Sequence, residues 1–463
     1  MAVDSQHEDY NKLRGEWEKC RDAAEGQRAI HGAGRKYLPA LSGQTNEEYD
    51  AYKMRATFYE ATGRTIDGLT SMIFRKPPTL DGDLSPDFME DCTLDGVSLF
   101  GFAQNLTREV MTVARAGILV DYPHIDYLET ELTVAQSESM NNRPYFRHYT
   151  AESIINWSKG RMNNKSVVTQ VRLKECVDVP LDEFGDDDID QIRVLELNEF
   201  GIYQQRVFRQ NEKHEWVQFG EAIIPVMNGQ PMSFIPFVFI NTDSTSPEPQ
   251  TPPLMGLVNI NISHYRTTAD LEHGAHFTGL PTAIITGHNK EKDEIFRIGS
   301  STAWVFSNEN ANAKYLEFEG KGLDSLKELC AAKEEKMAAL GAQMLTPSAR
   351  RNEAADTAEL RHMGENSILS AIAQTVSDGL NMALSIVAMW TNAQPVKISL
   401  NRDFLPTSMT PQMITALLQS WQSGGISGRT LFENLKRGEV IESTKTYEDE
   451  QADIQTEPPP MGV

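Results

Sequence analysis

The sequence predicts an α+β protein, because helical and β-rich stretches follow one another along the chain. Apolar residues recur at three- and four-residue steps in two blocks, 323–344 and 360–390, separated by a polar loop at 346–352. This spacing places side chains on one face of a helix. Between residues 144 and 240 the apolar residues alternate instead, which is typical of an antiparallel β meander. A long helix, a basic loop and a second long helix suit a subunit arranged around an axis.

The size and composition of the chain are those of a globular protein. Its 463 residues, 40% hydrophobic and 24% charged, are enough for two or three packed units. The sequence contains no run of 18 apolar residues, so we expect no membrane span. The first twenty residues are polar and charged, which predicts no secretory signal. The four cysteines have no metal-ligand spacing and favour a reduced cytosolic compartment.

The net charge argues against tight binding to nucleic acid. The chain carries 43 basic and 66 acidic residues, a net charge of −23. A clamp or a sequence reader is normally basic, because phosphate contacts supply most of its affinity. An acidic surface with a few basic rings would instead repel DNA from a wall while centring it. The plainer interpretation, that the acidity serves only solubility, also stays open at this point.

The N-terminal third is predicted to be mostly helical. Thr45 to Glu48 matches a capping box. The helix that it opens carries an apolar face through Ile73 and ends at Pro77. A second helix is predicted from Leu99 to Arg115, ended by Gly117, with a short buried strand at 118–123.

The middle of the chain contains the meander, with a hairpin connection at residues 198–201. Residues 175–190 include eight acidic and no basic side chains, so we predict a solvated loop there. An alternative is a divalent-cation site at Asp186, Asp187, Asp188 and Asp190.

A small β module is predicted between two helices in the C-terminal half. After a proline-rich connector at 242–253, a helix is expected at 254–276. Strands are then expected at 283–285, 303–306 and 315–318, before the long helix that begins near Leu323. The two helices would run antiparallel and carry the module at their tip. Further on, we predict a strand at 396–400, helices at 411–422 and 430–437, and a disordered acidic tail at 448–463.

Signatures of catalysis are weak, so we expect no enzyme, no cofactor and no bound metal. The sequence has no phosphate-binding GxxxxGK[ST] loop, no HExxH zinc motif and no nucleophile elbow. The positive features are in and before the polar loop, where Ser348, Arg350, Arg351 and Asn352 would form a basic collar in a symmetric ring. Lys333 interrupts an apolar stripe, which fits either a pore-facing ammonium or an aliphatic stem passing its neighbours. Lys336 lies just beside that stripe.

The order of these elements resembles the portal proteins of tailed double-stranded DNA bacteriophages. Several stretches are similar in amino-acid sequence as well as in order. They include YLPALSGQTNEEYDAYKMRATFYEATGRTIDGL, ARAGILVDYP, RPYFRHYTAESIINW, IPFVFINT, LMGLVNINISHYRTTADLEHGAHFTGLPTAIITG and RNEAADTAELRHMGENSILSAIA. The resemblance covers residues 35–445, and its specificity lies in the ordered set because no single stretch is diagnostic.

The resemblance implies a ring-forming subunit divided into the regions of that family. In chain order these are a mixed wing (1–253), a first stem helix (254–278), a β-containing clip (279–321), a second stem helix (322–345), a tunnel loop (346–357), a long tunnel helix (358–394), a wing return strand (395–407), a short helical crown (408–447) and the tail (448–463).

The resemblance also implies partners and contact residues. About twelve copies would form the channel for DNA packaging and ejection at one capsid vertex of the virion, after assembly in the host bacterial cytoplasm. DNA would pass non-specifically by the tunnel loop, with Lys333 and Lys336 as possible stem contacts. The clip, with Arg297 and Lys314, would dock the terminase large subunit and later the tail adaptor, and the wing would contact the major capsid protein.

Other functional classes remain as alternatives. A tail adaptor or scaffolding protein would be smaller or more uniformly helical, so the mixed wing and the β module count against both. A metal-dependent nuclease would use the aspartates at 186–190. A cytosolic binding module would be monomeric.

Overall fold

The computed structural model describes residues 2–123, 141–162, 164–180, 186–279, 282–286, 312–316, 321–345, 367–404, 411–438, 440–441 and 445–456. The chain divides into two compact units. The first comprises Met1–Trp17, Ile66–Pro253 and Ala342–Val463, and the second comprises Glu18–Thr65 and Leu254–Gly341. Helices and antiparallel sheets occur together, so the predicted α+β class is confirmed.

In the described residues the α-helices lie before residue 114 and after residue 254. They are α1 Glu8–Glu25, α2 Gln27–Ala33, α3 Asn46–Arg55, α4 Ala61–Ile73, α5 Pro86–Glu90, α6 Leu99–Val113, α7 Met255–Gly279, α8 Lys321–Gln343, α9 Ile368–Thr391, α10 Pro411–Gln422, α11 Gly428–Arg437 and α12 Tyr447–Thr456. Among these residues, no helix combines the length and hydrophobicity needed to cross a bilayer.

The strands are β1 Thr79–Asp81, β2 Arg115–Asp121, β3 Tyr145–Thr150, β4 Ile154–Met162, β5 Lys165–Pro180, β6 Asp186–Leu197, β7 Tyr203–Gln210, β8 Trp216–Ile223, β9 Val226–Met227, β10 Gln230–Pro231, β11 Phe237–Asn241, β12 Thr282–Thr286, β13 Asn312–Leu316 and β14 Lys397–Ser399. The predicted meander is confirmed as an antiparallel sheet in the order β4-β5-β6-β7-β8. A second sheet has the order β11-β2-β3, and β1-β14, β9-β10 and β12-β13 form two-stranded pairs.

The capping box at Thr45 is confirmed, but the single helix predicted after it is wrong. The Thr45 hydroxyl accepts from Glu48 N, and Thr45 N donates to the Glu48 carboxylate at 2.8 Å. Helix α3 then ends at Ala56, whose backbone is extended, and α4 begins at Ala61. The buried side chain of Asn261 accepts from the backbone N and hydroxyl of Thr62 and so caps the start of α4. This cap comes from a distant residue, which local periodicity does not reveal.

The predicted junction between α6 and β2 is shifted in the structure. The helix ends at Ala114, which adopts the left-handed conformation with φ 63°, and not at Gly117. Strand β2 therefore begins at Arg115 and ends at Asp121, ahead of the predicted 118–123. Gly117 lies inside this strand, where a Cβ atom would approach the Phe237 ring to 2.3 Å. That glycine marks a close ring contact and not a helix end.

The prediction of a solvated loop at 175–190 is also wrong for most of its length. Strand β5 continues to Pro180 and β6 begins at Asp186, with Cys176 opposite Asp190 and Asp178 opposite Asp188. Asp188 and Asp190 are exposed, and Asp190 pairs with Lys174 at 2.8 Å. An acidic hairpin is therefore stable here because one edge of it is held by a buried polar network.

That network centres on Glu175, which is 5% exposed. Its carboxylate accepts from Tyr149 Oη at 2.5 Å, Gln191 Nε2 at 2.6 Å and Arg193 Nε at 2.9 Å. Burial would raise the pKa of Glu175, but Arg193 and Arg147, with the hydrogen bonds, hold it below its ordinary value. Arg193 also donates to Gln205 Oε1, so the ion pair is joined to a wider set of bonds.

The long apolar stripe after residue 360 is confirmed from residue 368 onward as α9, with Ser367 as its N-cap. Gly379 allows close approach of β11, since a Cβ there would lie 2.4 Å from Ile240 Cδ1. Asn381 on α9 accepts from Ile398 N at 2.7 Å and donates to its carbonyl oxygen at 3.0 Å. These bonds fix β14, which confirms the strand expected at 396–400.

The C-terminal helices confirm one prediction and contradict another. Helices α10 and α11 lie where the sequence predicts them. The predicted disordered tail is wrong for its described part, because α12 covers Tyr447–Thr456. Thr446 caps this helix, accepting from Asp449 N at 3.1 Å, and Lys445 binds Glu450 and Asp453. Acidic residues in the first turn also suit the helix dipole, so composition alone was misleading.

We predict that Glu175→Gln lowers the free energy of unfolding at pH 7 by about 1.5–3 kcal/mol, because it removes the charged acceptor of the Arg193 Nε hydrogen bond. Asp121 Oδ2, 3.6 Å from Arg193 Nη1, then remains as the anion beside the buried guanidinium. Asp188→Asn, at an exposed position of the same hairpin, should change it by less than about 0.5 kcal/mol. Urea unfolding measures both values.

The stability that Glu175 contributes is expected to depend on pH. The folded-state pKa of Glu175 is lowered, so its contribution is complete above the ordinary carboxyl pKa and is lost as pH falls through the folded value. The difference in the free energy of unfolding between the native protein and Glu175→Gln should therefore decrease in acid. A gap that is constant from pH 7 to pH 3 would contradict the assignment.

Candidate functional site

The second unit contains two long helices that run antiparallel. A Cβ at Gly256 would lie 3.8 Å from Leu340 at one end of the pair, and a Cβ at Gly274 would lie 2.8 Å from Leu323 at the other. Leu257 of α7 and Met337 of α8 are buried together with Ala61, and Ile260 and Leu340 pack beside them. The apolar stripe predicted on α8 is therefore the seam between the two helices.

A short β-hairpin lies between these helices in the chain. Strands β12 and β13 pair from Thr282 opposite Leu316 to Thr286 opposite Asn312. Two of the three predicted strands of the module are thus confirmed with small shifts. The third, at 303–306, lies outside the described residues.

Polar groups cross the seam at its middle. Lys333 Nζ of α8 donates to the Ser263 carbonyl oxygen at 2.9 Å and to Thr267 Oγ1 at 2.5 Å. Burial is the main reason that the pKa of Lys333 lies below the ordinary lysine value. Directly beside this contact, His264 is 4% exposed, and its Nε2 lies 3.1 Å from Glu334 Oε1. Matched polar pairs of this kind fix the register of two helices.

Helix α7 is packed over a wide arc of its surface. Its buried positions are Leu257, Val258, Asn261, Ile262, His264, Tyr265, Thr267 and Ala269. On its outer side, Tyr52 Oη donates to Asp270 at 2.6 Å, and Arg266 Nε donates to the Tyr37 carbonyl oxygen at 2.7 Å. Residues 18–65 therefore cover the side of α7 that faces away from α8.

Helix α8 is packed along one side only. Between Gly322 and Leu340 its buried residues are Cys330 and Met337, and Leu323, Leu326, Lys333 and Leu340 are half-buried. The remaining side chains there are exposed, including Leu329 at 46%. An acidic ridge, defined by Asp324, Glu328 and Glu335, follows the side opposite the seam, as the spacing of four and seven residues dictates.

The structure separates the two lysines that the sequence singles out on this helix. Lys336 is exposed on the open side of α8, whereas the Lys333 ammonium is bonded to α7. Lys314 lies on β13, opposite Ile284. Ser348, Arg350, Arg351, Asn352 and Arg297 lie outside the described residues. The channel and docking roles of all these residues stay predictions.

Two further features were not predicted from the sequence. The Asn261 cap and the His264–Glu334 pair join elements far apart in the chain, and no local spacing signals either. The described ranges also contain no group of three His, Cys, Asp or Glu side chains placed to hold a metal ion. Cys20, Cys92, Cys176 and Cys330 form no disulfide with one another, and only Cys176 among them is exposed.

Comparison with known proteins gives one partial family match. A family model described as a domain of unknown function, DUF4055, matches residues 253–391. This segment runs from the start of α7 to the end of α9. No curated protein matches the chain.

Three solved structures share distant similarity with the chain. They are the neck of an empty GTA particle computed with C6 symmetry (12% identity, TM-score 0.39, 84% of this chain and 91% of that chain), the virion of a native gene transfer agent (12%, 0.38, 86% and 94%) and the neck of a native GTA particle computed with C12 symmetry (11%, 0.38, 86% and 95%). At these identities and TM-scores, no functional conclusion rests on them.

We predict that Lys333→Met leaves the free energy of unfolding unchanged or raises it by about 1 kcal/mol, because methionine fills the same space without burying a charge. Lys336→Met removes the same charge from an exposed position and should have an effect within about 0.5 kcal/mol. Urea unfolding compares the two. A loss above about 2 kcal/mol in Lys333→Met would show that the ammonium bonds stabilise the seam.

Proposed function

We propose that the chain is the subunit of a portal ring, through which double-stranded DNA enters and leaves the capsid of a tailed bacteriophage. One observation carries the proposal: the antiparallel pair α7 and α8 bears a β-hairpin between its helices and is followed by the long helix α9. This order agrees with the resemblance of residues 35–445 to portal protein sequences. Helix α8 packs along one side only, so its other side is open to neighbouring copies.

The charge distribution supports a conduit that does not retain DNA. The acidic ridge of α8 and the net charge of −23 disfavour lasting contact with phosphate. Contact would instead be non-specific and concentrated in the predicted tunnel loop, with Arg350, Arg351, Asn352 and Ser348 meeting the DNA backbone. Lys336, which is exposed, is the better placed of the two stem lysines, because the Lys333 ammonium is already bonded.

The proposal includes about twelve copies per ring and assembly into the virion from the host cytoplasm. The module that contains β12 and β13, with Lys314 and Arg297, would dock the terminase large subunit during packaging and the tail adaptor afterwards. The sheets of the first unit would contact the major capsid protein. Helices α10 and α11 would form the short crown on the capsid side, and the driving energy would come from a separate ATPase.

The alternatives have less support. A tail adaptor or scaffold would not need a five-stranded meander together with a helix-borne β-hairpin. For the nuclease alternative, Asp190 is already paired with Lys174, which weakens it as a metal ligand. Purified protein incubated with magnesium and DNA should not cut it. Cleavage that Asp187→Ala abolishes would favour the nuclease and contradict the portal.

We expect the purified protein to assemble into a closed ring of about a dozen chains. Native mass spectrometry should give one dominant species at that multiple of the 51.9 kDa subunit. A single-chain mass at micromolar concentration, across a range of salt and pH, would contradict the proposal.

We predict that Arg350→Ala combined with Arg351→Ala leaves ring assembly intact but lowers the amount of DNA packaged. The two changes would remove a basic collar and with it the phosphate contacts at the narrowest point. Arg429→Ala serves as the control, because Arg429 is an exposed arginine on α11. Nuclease-protected DNA per particle, measured after complementation of a portal-deficient phage, gives the readout. Unchanged packaging would remove this loop from the mechanism.

A further inference from the structure

The open side of α8 divides into two flanks on either side of its acidic ridge. Steps of three and four residues place Lys327, Ala331, Glu334 and Ala338 on the first flank. The same steps place Ser325, Leu329, Ala332 and Lys336 on the second flank. All eight side chains are exposed in the single chain.

The two flanks differ from an ordinary solvent-facing helix surface. Such surfaces carry mostly charged and polar residues. Here Leu329 and three alanines make up half of the eight flank positions, whereas all three residues of the ridge are acidic. The ridge is therefore suited to water, and the flanks are suited to contact with protein.

The flanks also have complementary charges at one height. Glu334 lies on the first flank, where its side chain is 46% exposed although Oε1 also bonds His264 across the seam. Lys336 lies on the second flank, two residues away and so separated from Glu334 by about 3 Å along the axis. Neighbours in a closed ring are related by rotation without translation, so the first flank of one copy meets the second flank of the next at the same height. This arrangement brings Glu334 of one chain towards Lys336 of its neighbour.

We propose that α8 packs flank to flank against α8 of two other copies of this chain, with Glu334 facing Lys336 at each junction. The acidic ridge then faces the central bore, and the seam with α7 faces outward. This inference rests on the proposed ring and adds which surface closes it. The contact is heterologous, because the two flanks that meet are different surfaces.

Cysteine cross-linking tests the geometry directly. Leu329→Cys places a thiol on the second flank and Ala331→Cys places one on the first, at nearly the same height. Both changes are made in a Cys176→Ser background, since Cys176 is the exposed native thiol among those described. Mild oxidation of the double variant should give a ladder of covalent multimers on a denaturing gel. Each single variant should stay monomeric there, because its thiol meets a side chain other than cysteine.

The outcomes separate this inference from the proposed function. If native mass spectrometry shows a ring but the double variant gives no ladder on the gel, the α8 contact is wrong and the portal proposal is unaffected. Covalent dimers from a single variant would mean that like flanks meet, which also overturns it. Failure of the unmodified protein to form any ring would overturn both.

Charge reversal provides an independent test. Lys336→Glu should raise the protein concentration needed for half-assembly several-fold, because it places two acidic groups at each junction. Adding Glu334→Gln should restore part of the assembly, because it removes the second acidic group while its amide oxygen can still accept from His264. Lys327→Glu is the matched control: it makes the same charge change on the first flank, where the facing residues at its height are Ser325 and Leu329. Loss of assembly in the control equal to that in Lys336→Glu would overturn the specific pairing.

Discussion

The unequal packing of two neighbouring helices is the constraint on which the rest of this structure depends. Helix α7 is enclosed by α8 and by residues 18–65, which take up its polar side chains in hydrogen bonds. Helix α8 buries two side chains between Gly322 and Leu340 and exposes most of the others. Most of the α8 surface in this range is therefore uncovered within the single chain. An assembly in which the flanks of α8 meet would bury this exposed surface.

The polar seam makes this arrangement specific. An apolar stripe alone would permit the two helices to slide by one turn. Lys333 bonded to Ser263 and Thr267, and His264 paired with Glu334, would each lose its partners on such a slip. Register is thereby fixed at the middle of the pair. The open side of α8 is consequently held in a defined position relative to α7.

The sequence predicted the features that depend on local patterns. The Thr45 capping box, the meander hairpin at 198–201 and helices α10 and α11 follow from short-range spacing, and the structure confirms them. Two of the errors occur where a distant group decides the outcome. Asn261 caps α4 from another helix, and Arg193 binds Glu175 at the start of a stretch that is a strand although its composition is that of a solvated loop. The role of Lys333 likewise depends on its partners in α7. Arg350 and Arg351 lie outside the described residues, and their roles stay predictions.

Electron microscopy of the purified protein tests the central claim most directly. The account predicts a top view with a central hole, and a map in which α8 helices of successive copies stand side by side around the bore with Glu328 and Glu335 facing it. The Arg350–Arg351 segment would project into the same hole. Solitary particles in every buffer, or a ring with α8 on its outer rim, would contradict the account.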